Sequence, residues 1–340
     1  MSQAASQSKT EELTKKDLVP DQTVRWCPGC GDYMILATMQ KTLPKLGIPR
    51  EKFVFVSGIG CSSRFPYYME TYGFHTLHGR APAVATGVKL ANPELNVWTI
   101  TGDGDCLAIG GNHFIHTVRR DIDINILVFN NKVYALTKGQ SSPTTPPGTK
   151  TSSTPDGAIE HPFSIGEMTI GANGTFFARV PDNDPKLMEK VMLRGAAHKG
   201  TSVVEILQNC VIFTDGIHNE VTGKDKKHSN QVVLRDGEPA VFGPEKEYGI
   251  KVNDMQLDVV ENDDETEVIK HNPSRNDTNL HYALAKMKLP DYPLAMGVIR
   301  EVQNIPYNEI LHNRIQKAKS QSKYNNVEEL INSGRVWNIE

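Results

Sequence analysis

The sequence predicts an α/β protein built on a doubly wound, mostly parallel sheet with a polar C-terminal appendage. Three observations carry this expectation. Short apolar runs of strand length alternate with stretches of helical apolar spacing, each run closes in glycine or asparagine, and the chemically unusual residues gather at those closures.

The elements follow in chain order. Residues 1–20 are polar, end at Pro20 and read as a mobile arm. DYMILATMQKTL (32–43) has the apolar recurrence of a helix, and FVFVSGIG (53–60) reads as a buried strand. APAVATGVKLA (81–91) is again helical, VWTITGDGD (97–105) a strand, CLAIGGNHFIHTVRR (106–120) a helix, and INILVFNN (124–131) a strand. Such alternation implies parallel strands covered on both faces, whose ligands sit outside the carboxyl ends of the strands. Residues 137–162 (TKGQSSPTTPPGTKTSSTPDGAIEHP) are rich in Gly, Pro, Ser and Thr and form a long loop with no core of its own. A helix over 185–199 and the strand SVVEILQNC (202–210) complete the sheet. From about 216 the chain turns polar, with charged runs such as ENDDETE (261–267), no repeated apolar strands, and helices near 277–287 and 306–319. The expected division is therefore an arm (1–20), a ligand-binding domain (21–215), and an extension (216–340) packed on that domain or on a partner.

Composition narrows the function. The chain has 340 residues, 38% apolar and 23% charged, enough for a substantial core. Its net charge of -3 provides no basic field for nucleic acid or an anionic membrane. No apolar run reaches membrane-span length and the first residues lack the apolar core of a secretory signal, so the expectation is a cytoplasmic protein. Five cysteines, an odd number in a reducing compartment, argue against a disulfide framework and leave metal binding or redox chemistry.

Two constellations carry that chemistry. GDG at 102–104 follows a strand, and the next strand closes in Asn130 and Asn131. Mg²⁺ clamping a diphosphate wants oxygen ligands, which Asp103, the Asn131 amide and the Val133 carbonyl offer, while glycines beside Asp103 let the backbone approach phosphates. Either motif alone is a plain turn. Both together, each at a strand end, resemble the thiamine diphosphate motif. SGIGCS (57–62) is not a dinucleotide fingerprint, because Ser63 stands where the third glycine belongs. The second constellation is WCPGC with Cys27 and Cys30, joined by Cys61 after GIG and Cys210 at a strand end. A C-x-x-C pair serves as a redox dithiol or as half of a zinc or iron-sulfur site; four thiolates suit a Cys₄ zinc and a 4Fe-4S cluster equally, and spacing does not choose.

WCPGCGD (26–32), GIGCSSR (58–64), HTLHGRA (75–81), TGDGDCLAIGGNH (101–113), NNKVYALTKGQSSPTT (130–145) and NC (209–210) closely resemble, in order, the β subunit of 2-oxoacid:ferredoxin oxidoreductases, most like those acting on 2-oxoglutarate. The resemblance is dense over 20–215 and implies the thiamine diphosphate-binding (PP-type) fold. It makes Cys27, Cys30, Cys61 and Cys210 the ligands of one 4Fe-4S cluster, and Asp103, Asn131 and the Val133 carbonyl the ligands of Mg²⁺. Ile59, Gly60, Cys61, Ser62, His78, Gly102, Gly104, Asp105, Ala135 and Leu136 would contact thiamine diphosphate, with Leu136 the apolar support beneath it. His78 and Arg64 are the catalytic candidates, Arg64 as a partner for a distal carboxylate, which favours 2-oxoglutarate over pyruvate or a broad range of 2-oxoacids. The implied reaction is reversible: 2-oxoglutarate and coenzyme A give succinyl-CoA, CO₂ and reduced ferredoxin. An α subunit would supply a missing Glu in an αβ dimer of dimers. Cys106, His75 and His113 read as structural. A non-oxidative thiamine decarboxylase or carboligase would need no convergent cysteines, and a zinc-stabilised scaffold would need no GDG.

Overall fold

A computed structural model describes residues 13–254, 256–263 and 267–337. Six parallel strands form the body of one sheet: β1 (Phe53–Ser57), β2 (Tyr72–His75), β3 (Asn96–Gly102), β4 (Asn125–Asn130), β5 (Phe176–Pro181) and β6 (Ser202–Leu207), in the order β2-β1-β3-β4-β6-β5. Every residue of β1, β4, β5 and β6 is buried, as expected of strands covered on both faces. Successive side chains go to opposite cores. Phe53, Phe55, Trp98, Leu127 and Phe129 join one cluster, and Val54, Val56, Val97, Ile126 and Val128 the other.

The helices that cover these faces are α1 (Asp32–Thr42), α2 (Ala81–Ala91), α3 (Asp103–Leu107), α4 (Gly111–Arg120), α5 (Ile165–Gly171) and α6 (Pro185–Ala197). α1 and α6 bury Ile35, Leu36, Met39, Met188, Val191 and Met192 against the aromatic face. α2, α4 and α5 bury Ala81, Ala85, Phe114, Val118, Ile165 and Ile170 on the aliphatic one. Local chemistry sets the ends: the Asp184 carboxylate accepts from Leu187 N at 3.0 Å and Pro185 opens α6, while α4 stops where Asp121 turns left-handed.

The structure corrects the expectations at four places. The helix expected over 106–120 is broken between Leu107 and Gly111, because Ala108–Gly111 turns the chain so that the backbones of Gly79 and Gly110 touch. The arm is packed where it is described: Lys15–Leu18 form a helical turn, Leu18 is fully buried and its carbonyl accepts from Glu70 N, while residues 1–12 lie outside the described residues. The loop 137–162 has no regular element but is not coreless, since Ser142, Thr144 and Thr145 are buried.

The largest correction concerns 216–340, expected to hold no repeated apolar strands. It contributes β7 (Gln231–Val233), then β8 (Val241–Phe242), β9 (Tyr248–Asn253) and β10 (Gln256–Glu261), which form a separate antiparallel sheet, and β11 (Leu294–Glu301). β11 pairs antiparallel with β5, and β7 pairs with β11, extending the main sheet to eight strands across the expected boundary at 215. The reason is the run LAMGVIRE, whose six central residues are buried. Helices Asn279–Lys286 and Tyr307–Ser320 stand close to expectation; part of the charged run 261–267, residues 264–266, lies outside the described residues. No helix among the described residues is long and apolar enough to cross a membrane.

Candidate active site

β1, β3, β4 and β6 are adjacent in the sheet, and their carboxyl ends carry GIGC, GDG, NN and QNC side by side. Two cavities open there.

The first, about 110 Å³, is lined by Ile59, Gly60, Cys61, Ser62, His78, Gly102, Asp103, Gly104, Asp105, Asn131, Val133, Ala135 and Leu136, together with Asp32, Phe129, Tyr134 and Thr137. Asp103 is 1% exposed, and its Oδ2 accepts from Ser142 Oγ and Thr144 Oγ1, both at 2.5 Å. Burial pushes its carboxyl up, against the pull of those hydroxyls. Among the described residues Asp103 has no ion pair. Asn131 Oδ1 accepts from Val133 N at 3.2 Å, which turns the amide into the same corner. Gly60 has φ +136 with open space where a side chain would begin, and a Cβ on Gly104 would stand 2.2 Å from the Tyr134 ring. The Tyr134 hydroxyl in turn donates to the Gly104 carbonyl at 3.1 Å.

Asp105 organises this wall. Its Oδ1 accepts from Ile59 N at 3.1 Å and from Gly79 N and His78 Nδ1 at 2.6 Å, and its Oδ2 from Thr101 Oγ1 at 2.7 Å. The carboxylate thus ties the GIGC turn, the HGR turn and the end of β3 together. Nδ1 is the ring nitrogen of His78 held by this carboxylate, which leaves Nε2 as the nitrogen free of it on this cavity-lining ring.

The second cavity, about 410 Å³, is lined by Cys27, Cys30, Cys61 and Cys210, with Arg25, Trp26, Arg64, Lys138, Gln208 and the apolar Val211, Ile212 and Phe213 around them. It shares Cys61, Asn131, Ala135 and Leu136 with the first, so one wall separates the two. None of the cysteines is in a disulfide. They arrive from separate directions: Cys27 and Cys30 from the turn before α1, where Cys30 N donates to the Cys27 carbonyl at 3.0 Å, Cys61 after β1, and Cys210 after β6. The Trp26 indole donates to the Cys61 carbonyl at 2.7 Å and clips two of these segments together. Burial raises the Cys61 thiol to about 12, with Asp32, Cys210 and Cys27 adding to it, and raises Cys30 further. As they stand, no three His, Cys, Asp or Glu side chains among the described residues form a group that could hold a single metal ion; the four sulfurs surround a space.

Arg64 lines the cysteine cavity and not the GDG cavity; its Nη1 reaches only the Arg25 carbonyl, at 3.4 Å, and it has no ion pair among the described residues. Cys106 is fully buried in the aliphatic core, as expected, and His75 packs on Tyr67 with ring centroids 5.3 Å apart. Sequence reasoning assigned no role to Ser142, Thr144, Tyr134, Asp32 or Gln208. The hydroxyl-rich SSPTT after TKGQ was the available signal for the first two.

Known proteins share this chain's sequence and fold. Residues 58–206 match the family described as thiamine pyrophosphate enzyme, C-terminal TPP binding domain, so the chain carries such a domain. It is 44% identical over 332 residues to the 2-oxoglutarate oxidoreductase subunit KorB of Mycobacterium tuberculosis, covering 96% of this chain and 88% of that one. It is 48% identical over 185 residues to the 2-oxoglutarate synthase subunit KorB of Archaeoglobus fulgidus, covering 54% of this chain and 69% of that one. Among solved structures, the 2-oxoglutarate:ferredoxin oxidoreductase from Magnetococcus marinus, with 2-oxoglutarate, coenzyme A and succinyl-CoA bound, superposes with a TM-score of 0.78 at 28% identity, covering 96% of this chain and 98% of that one. Similarity along nearly the whole chain, with the family's motifs set on four neighbouring strand ends, means that this chain belongs to the β subunits of 2-oxoglutarate:ferredoxin oxidoreductases, the KorB family.

Proposed function

We propose that this chain holds thiamine diphosphate with Mg²⁺ in the GDG cavity and a 4Fe-4S cluster in the cysteine cavity, and that with an α subunit it converts 2-oxoglutarate and coenzyme A to succinyl-CoA and CO₂, reversibly, passing electrons to ferredoxin. The observation that carries this reading is the shared wall: four free cysteines surround one cavity whose neighbour is the GDG cavity, with Cys61, Asn131, Ala135 and Leu136 lining both.

The donor sets fit these groups. A buried carboxylate with no ion pair costs stability unless a cation joins it, and the Asp103 carboxylate, the Asn131 amide and the Val133 carbonyl are the hard oxygen donors that Mg²⁺ prefers. Thiols held protonated by burial become ligands when a metal draws their protons off. Four thiolates around one cavity suit a cluster, and on ligand count alone suit a Cys₄ zinc site equally.

When bound, thiamine diphosphate supplies the carbanion chemistry of decarboxylation, and an iron-sulfur cluster accepts electrons one at a time. The protein's own contribution is positional. Asp105 holds His78 through Nδ1 and leaves Nε2 as the ring nitrogen free of it. Leu136 presents an apolar side chain to both cavities. Arg64, beside Cys61 and without an ion pair, pairs with the distal carboxylate of 2-oxoglutarate.

A partner subunit completes the site. At about 110 Å³ the GDG cavity is well below the roughly 300 Å³ and more of a typical ligand pocket, and no Glu among the described residues lines it. The isolated chain is therefore expected to be inactive, and turnover without an α subunit would overturn this part.

The test is metal and sulfide analysis of the full chain purified without oxygen. Iron and acid-labile sulfide at about four each per chain, lost in Cys210→Ser, are expected. Zinc without sulfide would remove the electron path and leave a non-oxidative thiamine enzyme or a scaffold.

A further inference from the structure

Gln208 lies one residue beyond β6, and its side chain is not explained by packing. It is 1% exposed, and its backbone N–H donates to the Asn130 carbonyl at 3.1 Å, which fixes it beside the end of β4. Its Nε2 stands 2.7 Å from the Asn209 carbonyl oxygen and 3.2 Å from Cys30 Sγ. A carbonyl oxygen can only accept, so the group facing it is the NH₂, and the amide has one admissible orientation. One hydrogen goes to Asn209 and the other points at the Cys30 sulfur.

The other end of the amide makes this placement costly. Gln208 Oε1 is buried with no hydrogen-bond partner, a desolvation cost that an apolar side chain of the same length would not carry. The Asp32 backbone N–H also bonds this sulfur, and the charges that bear most on Cys30, those of Asp32, Cys210 and Cys61, include no cation. Among the described residues Gln208 is the side chain with an N–H aimed at this sulfur.

We infer that Gln208 sets the reduction potential of the centre that Cys30 holds, by donating Nε2–H to its sulfur. The inference rests on the cluster assignment above. Reduction adds one electron, part of whose charge falls on the ligating sulfurs. A fixed N–H there stabilises the reduced form more than the oxidised one and raises the potential, and a dry site strengthens the effect. Gln208 tunes the centre and takes no part in bond making.

The experiment compares the full chain, purified without oxygen together with its α subunit, as wild type, Gln208→Met and Gln208→Glu. Methionine keeps the length and removes the donor; glutamate keeps the shape and puts an acceptor in its place. Iron and sulfide are measured first, then the cluster is poised with dithionite and mediators and its reduced fraction is read by electron paramagnetic resonance. At the poise where the wild type is half reduced, Gln208→Met is expected to show a reduced-to-oxidised ratio about tenfold lower, equivalent to about 59 mV for a one-electron couple. Gln208→Glu is expected to shift in the same direction and further, and the exchangeable-proton coupling of the reduced cluster should be weakened in both. An unshifted potential with iron and sulfide retained overturns the inference. Loss of iron and sulfide from both variants overturns it too, since Gln208 would then hold the loop together and not tune it. Wild-type protein with no iron and sulfide would instead refute the cluster assignment itself.

Discussion

Asp105→Ala is the substitution whose cost can be worked from the structure. The carboxylate is 2% exposed and accepts from four donors: Ile59 N, Gly79 N, His78 Nδ1 and Thr101 Oγ1. On truncation the Thr101 hydroxyl can rotate and the His78 ring, with a side chain 41% exposed, can reach water. The two amides are fixed by the backbone and lose their acceptor. At about 1–3 kcal/mol for each buried donor left unpaired, the cost is about 4 kcal/mol. Asp105→Asn keeps a carbonyl oxygen for Ile59, Gly79 and His78, and sets its NH₂ against a hydroxyl able to accept. Its cost is the loss of charge from these bonds, about 1–2 kcal/mol. Urea unfolding followed by the fluorescence of the buried Trp26 and Trp98 compares the variants at equal slope. If Asp105→Asn is as destabilised as Asp105→Ala, the carboxylate acts through its charge and not by tying the loops, and the reasoning fails.

Three further outcomes are expected. Arg64→Leu lowers the preference for 2-oxoglutarate over pyruvate in kcat/KM about 10- to 100-fold, the worth of one charge-assisted contact; an unchanged ratio would refute the role of the guanidinium. Ser142→Ala and Thr144→Val each remove a hydroxyl from the same oxygen of Asp103, and because the second removal leaves that oxygen bare, the double variant should lose more stability than the sum of the singles, by about 1 kcal/mol in a double-mutant cycle. His198 is buried, its Nε2 bonds Thr175 Oγ1 and its Nδ1 has no partner; burial lowers its pKa from 6.5 to about 4. Between those values the unfolded chain binds a proton that the folded chain refuses, so stability falls as pH drops from 6.5 to 4, by about 3 kcal/mol in all, and His198→Gln should flatten that slope in urea titrations.

Much of the sheet was legible because its strands are both short and apolar on every residue: FVFVS and NILVFN admit few other readings when glycine or asparagine follows. The site residues were legible for a different reason. Asp103, Asn131, Cys61 and Cys210 sit where neighbouring strands end, so sheet topology brings them together, while Cys27 and Cys30 reach the same cavity from the turn before α1. What stayed hidden depends on contacts distant in sequence. Ser142 and Thr144 look like ordinary loop hydroxyls until the loop folds onto Asp103, 39 and 41 residues earlier. Gln208 reads as the polar end of a strand, and only the approach of the turn before α1, 178 residues away, gives it a sulfur to bond. β11 was missed because a single apolar run inside a polar third of the chain gives no sign of which sheet edge it will join.

The position of β11 sets the order in which this protein can be made. β5 carries Phe176, Phe177 and Val180, and one of its edges is closed only when residues 294–301 arrive, more than a hundred residues later. During synthesis the half of the molecule that bears the ligand-binding motifs must wait with that apolar strand open, a standing invitation to pair with another nascent chain. A ribosome that stalled before residue 294 would thus release a chain carrying all five cysteines and the complete GDG and NN motifs, yet prone to aggregate, so the last seventh of the gene guards the solubility of the first two thirds.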